Sequence, residues 1–376
     1  MSVFLAVGSI ILALMALVVF RFVRNLSLFN APFGVRIVLY CVLGAVFVMA
    51  AVYMPLRRAG YLSGIFEDIF ASSIGVIFAL FIFTIIYDIA AIVLVRVLHK
   101  PQTLALAQWI TAASVVCYIF YGWISALTPP RIERITIDSP RITGELTIAH
   151  LTDLHLGNGS LLNTAFARRT AESVSALEPD IVAITGDLID AKIDKIRDAL
   201  IAVSEIKTRY GIYFVPGNHE YYYNELDSSL EFLESLGIKV LKNSNTTIVG
   251  DFGAIAIVGS LDPAGRRFGR MLPNPSAALN GIDRAQFVLA LTHQPKVIAD
   301  FPPESFDLLL AGHTHGGQIF PFHLAVKIEN KFLSGLYDRD ERGQVFISSG
   351  VGYWGPPMRM FAPNKIALFT LKPTWL

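Results

Sequence analysis

Cysteine is nearly absent from this 376-residue chain: its two residues, Cys41 and Cys117, both lie in apolar runs, where a thiol acts as a small hydrophobe. They build neither a disulfide framework nor a thiolate zinc knuckle, and they leave the redox compartment open. Charge is scarce as well, at 16% Asp, Glu, Lys and Arg, against about a quarter in soluble domains. With 53% hydrophobic residues, that deficit excludes a purely cytosolic globular protein. An excess of one sign is missing too. The net charge is +1, so the chain carries no basic footprint for nucleic acid, and no nucleic-acid partner is expected. Internal repeats and low-complexity tracts are absent.

The charge that exists is unevenly placed. Residues 1–128 hold 7 Lys/Arg and 3 Asp/Glu, which leaves 24 and 27 of the totals of 31 and 30 for the remainder. Four apolar stretches fill this first third: Val3–Phe20, Ile37–Met54, Phe70–Val95 and Thr103–Leu127. Each is about 18 residues or longer, the length that crosses a hydrocarbon core of roughly 30 Å as a helix. The first lacks the basic n-region and small-residue cleavage site of a signal peptide, so it reads as a retained anchor. Trp109, Tyr118, Tyr121 and Trp123 sit near the ends of the fourth, where interfacial aromatics collect. Arg21, Arg24, Arg36, Arg96 and Lys100 follow spans one and three, against Arg57, Arg58, Arg131 and Arg134 on the other side. The excess of basic residues after spans one and three predicts those loops in the cytoplasm, with both termini and the C-terminal domain outside it. Asp88 is the one carboxylate inside an expected span, with no second intramembrane charge to pair with. Such residues are functional candidates, but a protonated or hydrogen-bonded place within the bundle is the preferred reading, since no broken-helix pair supports transport.

At Pro129-Pro130 the last helix must stop, since proline cannot continue it. We divide the chain into a transmembrane region, 1–128, a linker and first strand, 129–142, and a domain, 143–376, long enough for a full core. Strand-like apolar runs occur at Glu145–Thr152, Ile181–Thr185, Ile212–Pro216, Ala254–Ser260, Phe287–Thr292, Asp307–Ala311, Val345–Ser348 and Ile366–Leu371. Helix-period segments lie near Asn163–Ala176, Ile193–Thr208 and Glu225–Leu236. Alternating strands and helices followed by a β-rich half predict an α/β domain with helices packed outside a sheet sandwich.

The chemistry-bearing residues sit just after the strand-like runs: Asp153 and His155 in D-L-H, Asp187 in G-D, Asn218, His219 and Glu220 in G-N-H-E, His293 alone, and His313 and His315 in G-H-T-H. Strand ends are where α/β sheets collect functional side chains. Carboxylate, imidazole and amide oxygen without thiolate suit Mn²⁺, Fe²⁺/Fe³⁺ or Zn²⁺. The D-x-H and H-x-H spacings aim two side chains at one point only if the segment turns, which neighbouring glycines permit. A lone loop histidine such as His293 is ordinarily just a satisfied loop residue. Loop carboxylates such as Asp190 and Glu220 are ordinarily solvated, although they could orient ligands. His150 reads as packed within its strand, and His99 and His323 as structural.

In that order, these motifs resemble the calcineurin-like metallophosphoesterases. Gly312–Ile319 (GHTHGGQI), Ser349–Gly352 and Pro357–Arg359 are similar to the bacterial YkuE/YaeI-type branch of membrane-associated phosphodiesterases. The resemblance covers about 131–376 and implies a four-layer α/β/β/α sandwich. It also implies that Asp153, His155 and His315 bind one divalent ion, that Asn218, His293 and His313 bind a second, and that Asp187 bridges them. A water between the ions would attack phosphorus in line, with His219 donating to the leaving oxygen; His219, Asp187 and Asn218 are the implied catalytic set. No ligand position departs from the family pattern.

The substrate is less constrained. Tyr221–Tyr223 and Phe320–Phe322 place apolar surface beside the metal loops, suited to a lipid chain or simply to core packing. Arg266, Arg267 and Arg270 form a cluster suited to a second phosphate, an anionic headgroup or plain solvation. A membrane tether raises the local concentration of bilayer substrates, so membrane lipids and lipid-linked or envelope phosphoesters are the expected partners. A soluble nucleotide or phosphoprotein is the alternative substrate, and a non-catalytic receptor or scaffold the alternative class.

Overall fold

The structure, a computed structural model, describes residues 2–25, 32–157 and 159–374, with backbone alone at 2–10, 22, 24 and 25. The chain divides into two units, residues 1–127 with 355–360, and residues 128–354 with 361–376.

The first unit contains helices α1 (Ser2–Asn25), α2 (Phe33–Arg58), α3 (Gly64–Ile92, continued by a π-helical turn, Val93–Val97) and α4 (Leu104–Leu127). Three helical stretches, Phe33–Arg58, Gly64–Val97 and Pro101–Leu127, are long and apolar enough to cross a membrane. The expected first span lies in α1, but its residues 3–10 fall outside the described side chains; the apolar stretch within the described part is Ile11–Arg21. These helices are apolar outside as well as inside: Val42, Val48, Ile86, Ile89, Ile110 and Ile124 are all more than half exposed, while Val19, Leu43, Phe47 and Ile77 pack centrally. A helix hydrophobic all round has no stable place in water, and the region points to membrane association. Asp88 corrects its sequence reading. It is paired with Arg21, which lies within α1 rather than in the loop beyond it; the facing of α1 towards α3 carries no signal in the primary pattern. Gln108 donates to the Tyr87 hydroxyl at 3.1 Å, a polar link between α3 and α4. The segment Gly355–Met360 belongs to this unit through Met358, which lies over Gly75 and Gly122 so closely that a Cβ at Gly75 would come within 2.3 Å of its sulfur.

The second unit contains β1 (Arg131–Ser139), β2 (Leu146–Leu151), α5 (Thr164–Ser175), β3 (Ile181–Thr185), α6 (Ile193–Ser204), β4 (Ile212–Val215), α7 (Leu226–Ser235), β5 (Lys239–Val240), β6 (Ser244–Gly250) and β7 (Gly253–Gly259). It continues with α8 (Pro275–Ala278), β8 (Phe287–Leu291), β9 (Leu308–Ala311), α9 (His323–Asn330), β10 (Gly335–Asp338), β11 (Gln344–Ile347) and β12 (Lys365–Pro373). Two six-stranded mixed sheets result, ordered β1-β12-β2-β3-β4-β5 and β10-β11-β9-β8-β7-β6. Alternation within each strand builds the layers. Ile148, Ile181, Ala183, Tyr213 and Phe369 of one sheet meet Ile257, Leu289, Leu308 and Phe346 of the other in a common core. The opposite faces, Val182, Ile184 and Phe214 on one sheet and Val288, Ala290 and Leu309 on the other, pack under α5–α7 and under α8 with the 295–300 turn, respectively.

His150, on β2, is fully buried and bonds the Thr185 hydroxyl through Nε2 at 2.7 Å. Burial presses its pKa down to about 3, against a smaller upward pull from Asp153. A depressed imidazole pKa means that the folded chain binds fewer protons than the unfolded one below about pH 6.5. The stability that neutral His150 allows is therefore fully present above that value and is lost progressively towards pH 3. His150→Leu is expected to flatten the acid limb of stability by up to about 1.4 kcal/mol per pH unit. Denaturant unfolding of the full chain in detergent between pH 6.5 and 4 measures this; an unchanged slope would refute it.

Candidate dimetal centre

Strands β2, β3 and β4 run parallel side by side, as do β8 and β9 in the other sheet. Parallel neighbours end together, so the loops that follow them share one rim. Backbone bonds lock those loops in register: Asp153 N–H donates to Gly186 O at 3.1 Å, His155 N–H to Asp187 O at 2.9 Å, and Gly312 N–H to His293 O at 3.0 Å.

The turning is done largely by the functional residues themselves. Asp153, His155, Asp187, His313 and His315 adopt φ of 56°, 46°, 48°, 70° and 49°, the left-handed region that non-glycine residues enter at a cost and mostly at functional sites. The glycine reading is thus only partly right. Gly186, Gly316 and Gly317 take positive φ, whereas Gly217 and Gly312 are needed for space. A Cβ at Gly217 would stand 2.3 Å from Asp187 Oδ1, and one at Gly312 would stand 2.1 Å from Thr152 Oγ1 and 2.5 Å from Asp153 Oδ2. Gly217→Ala and Gly312→Ala should each leave the fold intact by circular dichroism yet weaken metal binding about 10–100-fold in equilibrium dialysis, the range for disturbed ligand support. Retained affinity would contradict the packing argument.

All eight sequence-derived site residues come together. Three groups have ligand atoms within 4.8 Å of one another: Asp153, His155 and His315; His155, Asp187 and His219; and Asp187, His293 and His313. His155 Nε2 lies 3.0 Å from His315 Nε2, and Asp153 Oδ1 lies 3.3 Å from the latter. Asp187 Oδ2 lies 3.1 Å from His293 Nε2 and 3.7 Å from His155 Nε2, while its Oδ1 accepts the His219 backbone N–H at 2.8 Å. Asn218 Oδ1 lies 3.2 Å from His293 Nε2, and its amide donates to the Tyr222 hydroxyl at 3.0 Å. His293 Nδ1 donates to Thr185 O at 2.7 Å. A carbonyl only accepts, so the His293 lone pair for a ligand is on Nε2.

Electrostatics in this pocket call for cations. Burial raises the Asp187 carboxyl, but His293 and His219 outweigh it and hold it well below the usual range. Burial lowers His293, and Asp187 overrides that to push it well above 6.5. His313, half-buried beside His293, is pressed down to about 3 by desolvation and by that neighbouring charge. Two imidazole nitrogens face each other at 3.0 Å, and buried carboxylates lie beside them. This donor set fits divalent ions in both number and type.

Two carboxylates that sequence reasoning left open have definite places. Asp190 Oδ1 accepts from His219 Nδ1 at 2.7 Å and so orients that ring, while its Oδ2 places negative charge 3.3 Å from His155 Nδ1. Glu220 accepts backbone N–H bonds from Gly217 (2.6 Å), Asp187 (3.1 Å), Leu188 (2.8 Å) and Ile189 (2.9 Å), stapling the G-N-H-E loop to the G-D loop. Burial and the Asp187 charge raise Glu220 to about 7, against the pull of those donors. Sequence reasoning missed Trp354, whose ring is 6.3 Å from that of His219 and whose backbone is doubly bonded to Gln318 at 2.8 and 2.9 Å. Tyr223, expected only as apolar surface, donates its hydroxyl to Asp190 O at 2.7 Å. Of the arginine cluster, Arg270 is paired with Asp227 at 2.7 Å, and Arg267 lies over the Phe268 ring.

Parallel strands delivering carboxylates and imidazoles to one rim, around a carboxylate common to two ligand groups, define a metal-dependent hydrolase of the binuclear type. The calcineurin-like phosphoesterase family model matches residues 146–317. The chain is 32% identical over 358 residues to an uncharacterized metallophosphoesterase of Campylobacter jejuni, covering 94% of this chain and 93% of that protein. It is 38% identical over 257 residues to one of Helicobacter pylori, covering 68% of each. It is also 32% identical over 277 residues to a Danio rerio protein named as a transmembrane protein with a metallophosphoesterase domain, covering 71% of this chain and 62% of that protein. The chain belongs to the calcineurin-like metallophosphoesterases and is a metal-dependent phosphoric ester hydrolase.

Proposed function

We propose that the protein, akin to the YkuE/YaeI-type branch, hydrolyses a phosphodiester, phosphomonoester or pyrophosphate bond of a membrane lipid or lipid-linked envelope molecule. The observation that carries the chemistry is the position of Asp187 between two His/Asp groups. Asp153, His155 and His315 would hold one divalent ion and Asn218, His293 and His313 the other, with Asp187 shared. When bound, the pair supplies an activated water and neutralises charge growing on the phosphoryl oxygens. The chain's own residues do the rest. Asp190 fixes the His219 ring through Nδ1, leaving Nε2 to hand a proton to the departing oxygen. Tyr222 and Trp354, each about 45% exposed, wall the approach beside His219.

The lipid reading draws on that aromatic wall, on Phe320 and Phe322 beyond His315, and on the spanning-length helices, which would keep the site near a bilayer. Four spans, with α1 as the first, and an extracytoplasmic catalytic domain complete the proposal; the similarity to a protein named as transmembrane is in keeping with it. The test is purified full-length protein with Mn²⁺, offered radiolabelled membrane phospholipids and lipid pyrophosphates alongside nucleotides and phosphoproteins. Metal-dependent release from a lipid is expected. Cleavage of the soluble substrates alone would overturn the lipid part, and a reporter fused after Leu376 active only in the cytoplasm would overturn the sidedness.

A further inference from the structure

Helix α9 is amphipathic in the wrong sense for a surface in water. Its buried residue is Asn330, whose amide bonds Val326 O at 3.1 Å, while Leu324 is 57% and Ile328 83% exposed on one face. A water-facing helix normally presents polar residues outward. The inversion extends beyond the helix: Phe322 is 51% exposed, and Phe361, 74% exposed, makes an edge-to-face pair with Phe320 at 5.7 Å. Exposed Lys327 and Lys331 flank this surface, opposed by Glu329 alone.

The patch is mechanically continuous with the metal centre. Gly316–Phe322 are all that separates His315 from α9, and a Cβ on Gly317 would stand 2.3 Å from His323 Cα, so the helix start is seated against the ligand-bearing turn. The next residue, Gln318, holds Trp354 beside His219. Movement or burial of α9 is therefore felt at the rim where a phosphoester must enter.

We propose that Phe322, Leu324, Ile328 and Phe361 insert into the interfacial zone of an anionic membrane leaflet, seating the phosphoesterase domain there with its site open to headgroups. Three features favour a bilayer as the occupant. The same chain carries three helical stretches long and apolar enough to span one, so a leaflet is tethered within reach. Aromatic and aliphatic side chains with flanking lysines match interfacial helices, whose cations remain at the headgroups of anionic lipid. A stable copy-to-copy interface needs about 20–30 residues a side, far more than this cluster provides.

The test uses the full chain with Cys41→Ser and Cys117→Ser, spin-labelled at Ile328→Cys and reconstituted in phosphatidylcholine–phosphatidylglycerol vesicles. The ratio of oxygen to nickel-chelate accessibility is expected to exceed that at Lys195→Cys, a water-facing reference, by about tenfold. It should fall when phosphatidylglycerol is omitted. With the label moved to Leu324→Cys, adding Ile328→Asp should return it to water while solution turnover of bis-p-nitrophenyl phosphate stays unchanged. Free chelate access at position 328 would overturn the proposal, and so would dipolar coupling between labels on dilute vesicles, which would mean that a second copy covers the face. These readouts report immersion rather than turnover. An immersed label on a protein that cleaves no lipid would support the docking and refute the lipid-substrate reading separately.

Discussion

Asp187→Ala is expected to abolish metal-dependent hydrolysis of bis-p-nitrophenyl phosphate, lowering kcat by about a thousandfold or more. Removing a single electrostatic contact from an active site costs about 10²–10³ in rate, and Asp187 makes more than one. Its Oδ2 faces His293 and His155, and its Oδ1 holds the His219 backbone. Without it, the two ligand groups share no carboxylate, and elemental analysis should show bound metal falling from about two equivalents to one or fewer. Asp187→Asn separates charge from shape, because the amide oxygen can still accept from His219 N–H while the group loses its charge. It should fold like the wild type and be almost as inactive. Wild-type turnover in either variant would show that hydrolysis does not depend on Asp187 and would overturn its role as the shared carboxylate.

The parts of the molecule that sequence reasoning reached are those where one local pattern decides the outcome. β3, β4, β8 and β9 are buried on both faces and β2 nearly so, and each reads as a largely apolar run that leads into a ligand loop. β6, by contrast, is the partly exposed edge run S-N-T-T-I-V-G, and β5 has two residues; neither carries enough buried surface to leave a hydrophobic signature. The insertion of β12 between β1 and β2 is a pairing over more than 200 residues that no local window contains. In the centre, ligand identity and order were legible because the chemistry restricts residue type. The bonds made by Asp190 and Glu220 were not, since a carboxylate stapling four amides and one in solvent look alike in sequence. The left-handed backbone at Asp153, His155, Asp187, His313 and His315 was equally hidden. It reflects loops held by surrounding contacts rather than any preference of Asp or His large enough to announce itself. Arg21 escaped notice as the partner of Asp88 for a related reason: only helix packing decides which residues meet.

His219→Asn separates the proton donor from the metal scaffold. His219 lies within reach of Asp187 and His155, but its ring is fixed by Asp190 and walled by Tyr222 and Trp354, a position suited to a leaving oxygen. Loss of a general acid costs about 10²–10⁴-fold, and that cost should depend on how badly the leaving group needs a proton. For an alkyl phosphoester, kcat should fall by at least about a hundredfold; for p-nitrophenolate, already a stable anion, the loss should be much smaller. Metal content should be unchanged in both cases. Asp190→Asn tests the orientation itself. The amide retains an acceptor for His219 Nδ1–H but no negative charge, and it removes the charge that lies 3.3 Å from His155 Nδ1 as well. It should therefore combine a partial loss of kcat, again larger for the alkyl leaving group, with a measurable drop in metal affinity that His219→Asn lacks. If His219→Asn slowed both leaving groups equally, its ring would be positioning phosphate rather than donating a proton. If Asp190→Asn changed neither kcat nor metal binding, the 2.7 Å contact between Asp190 and His219 would be structural only.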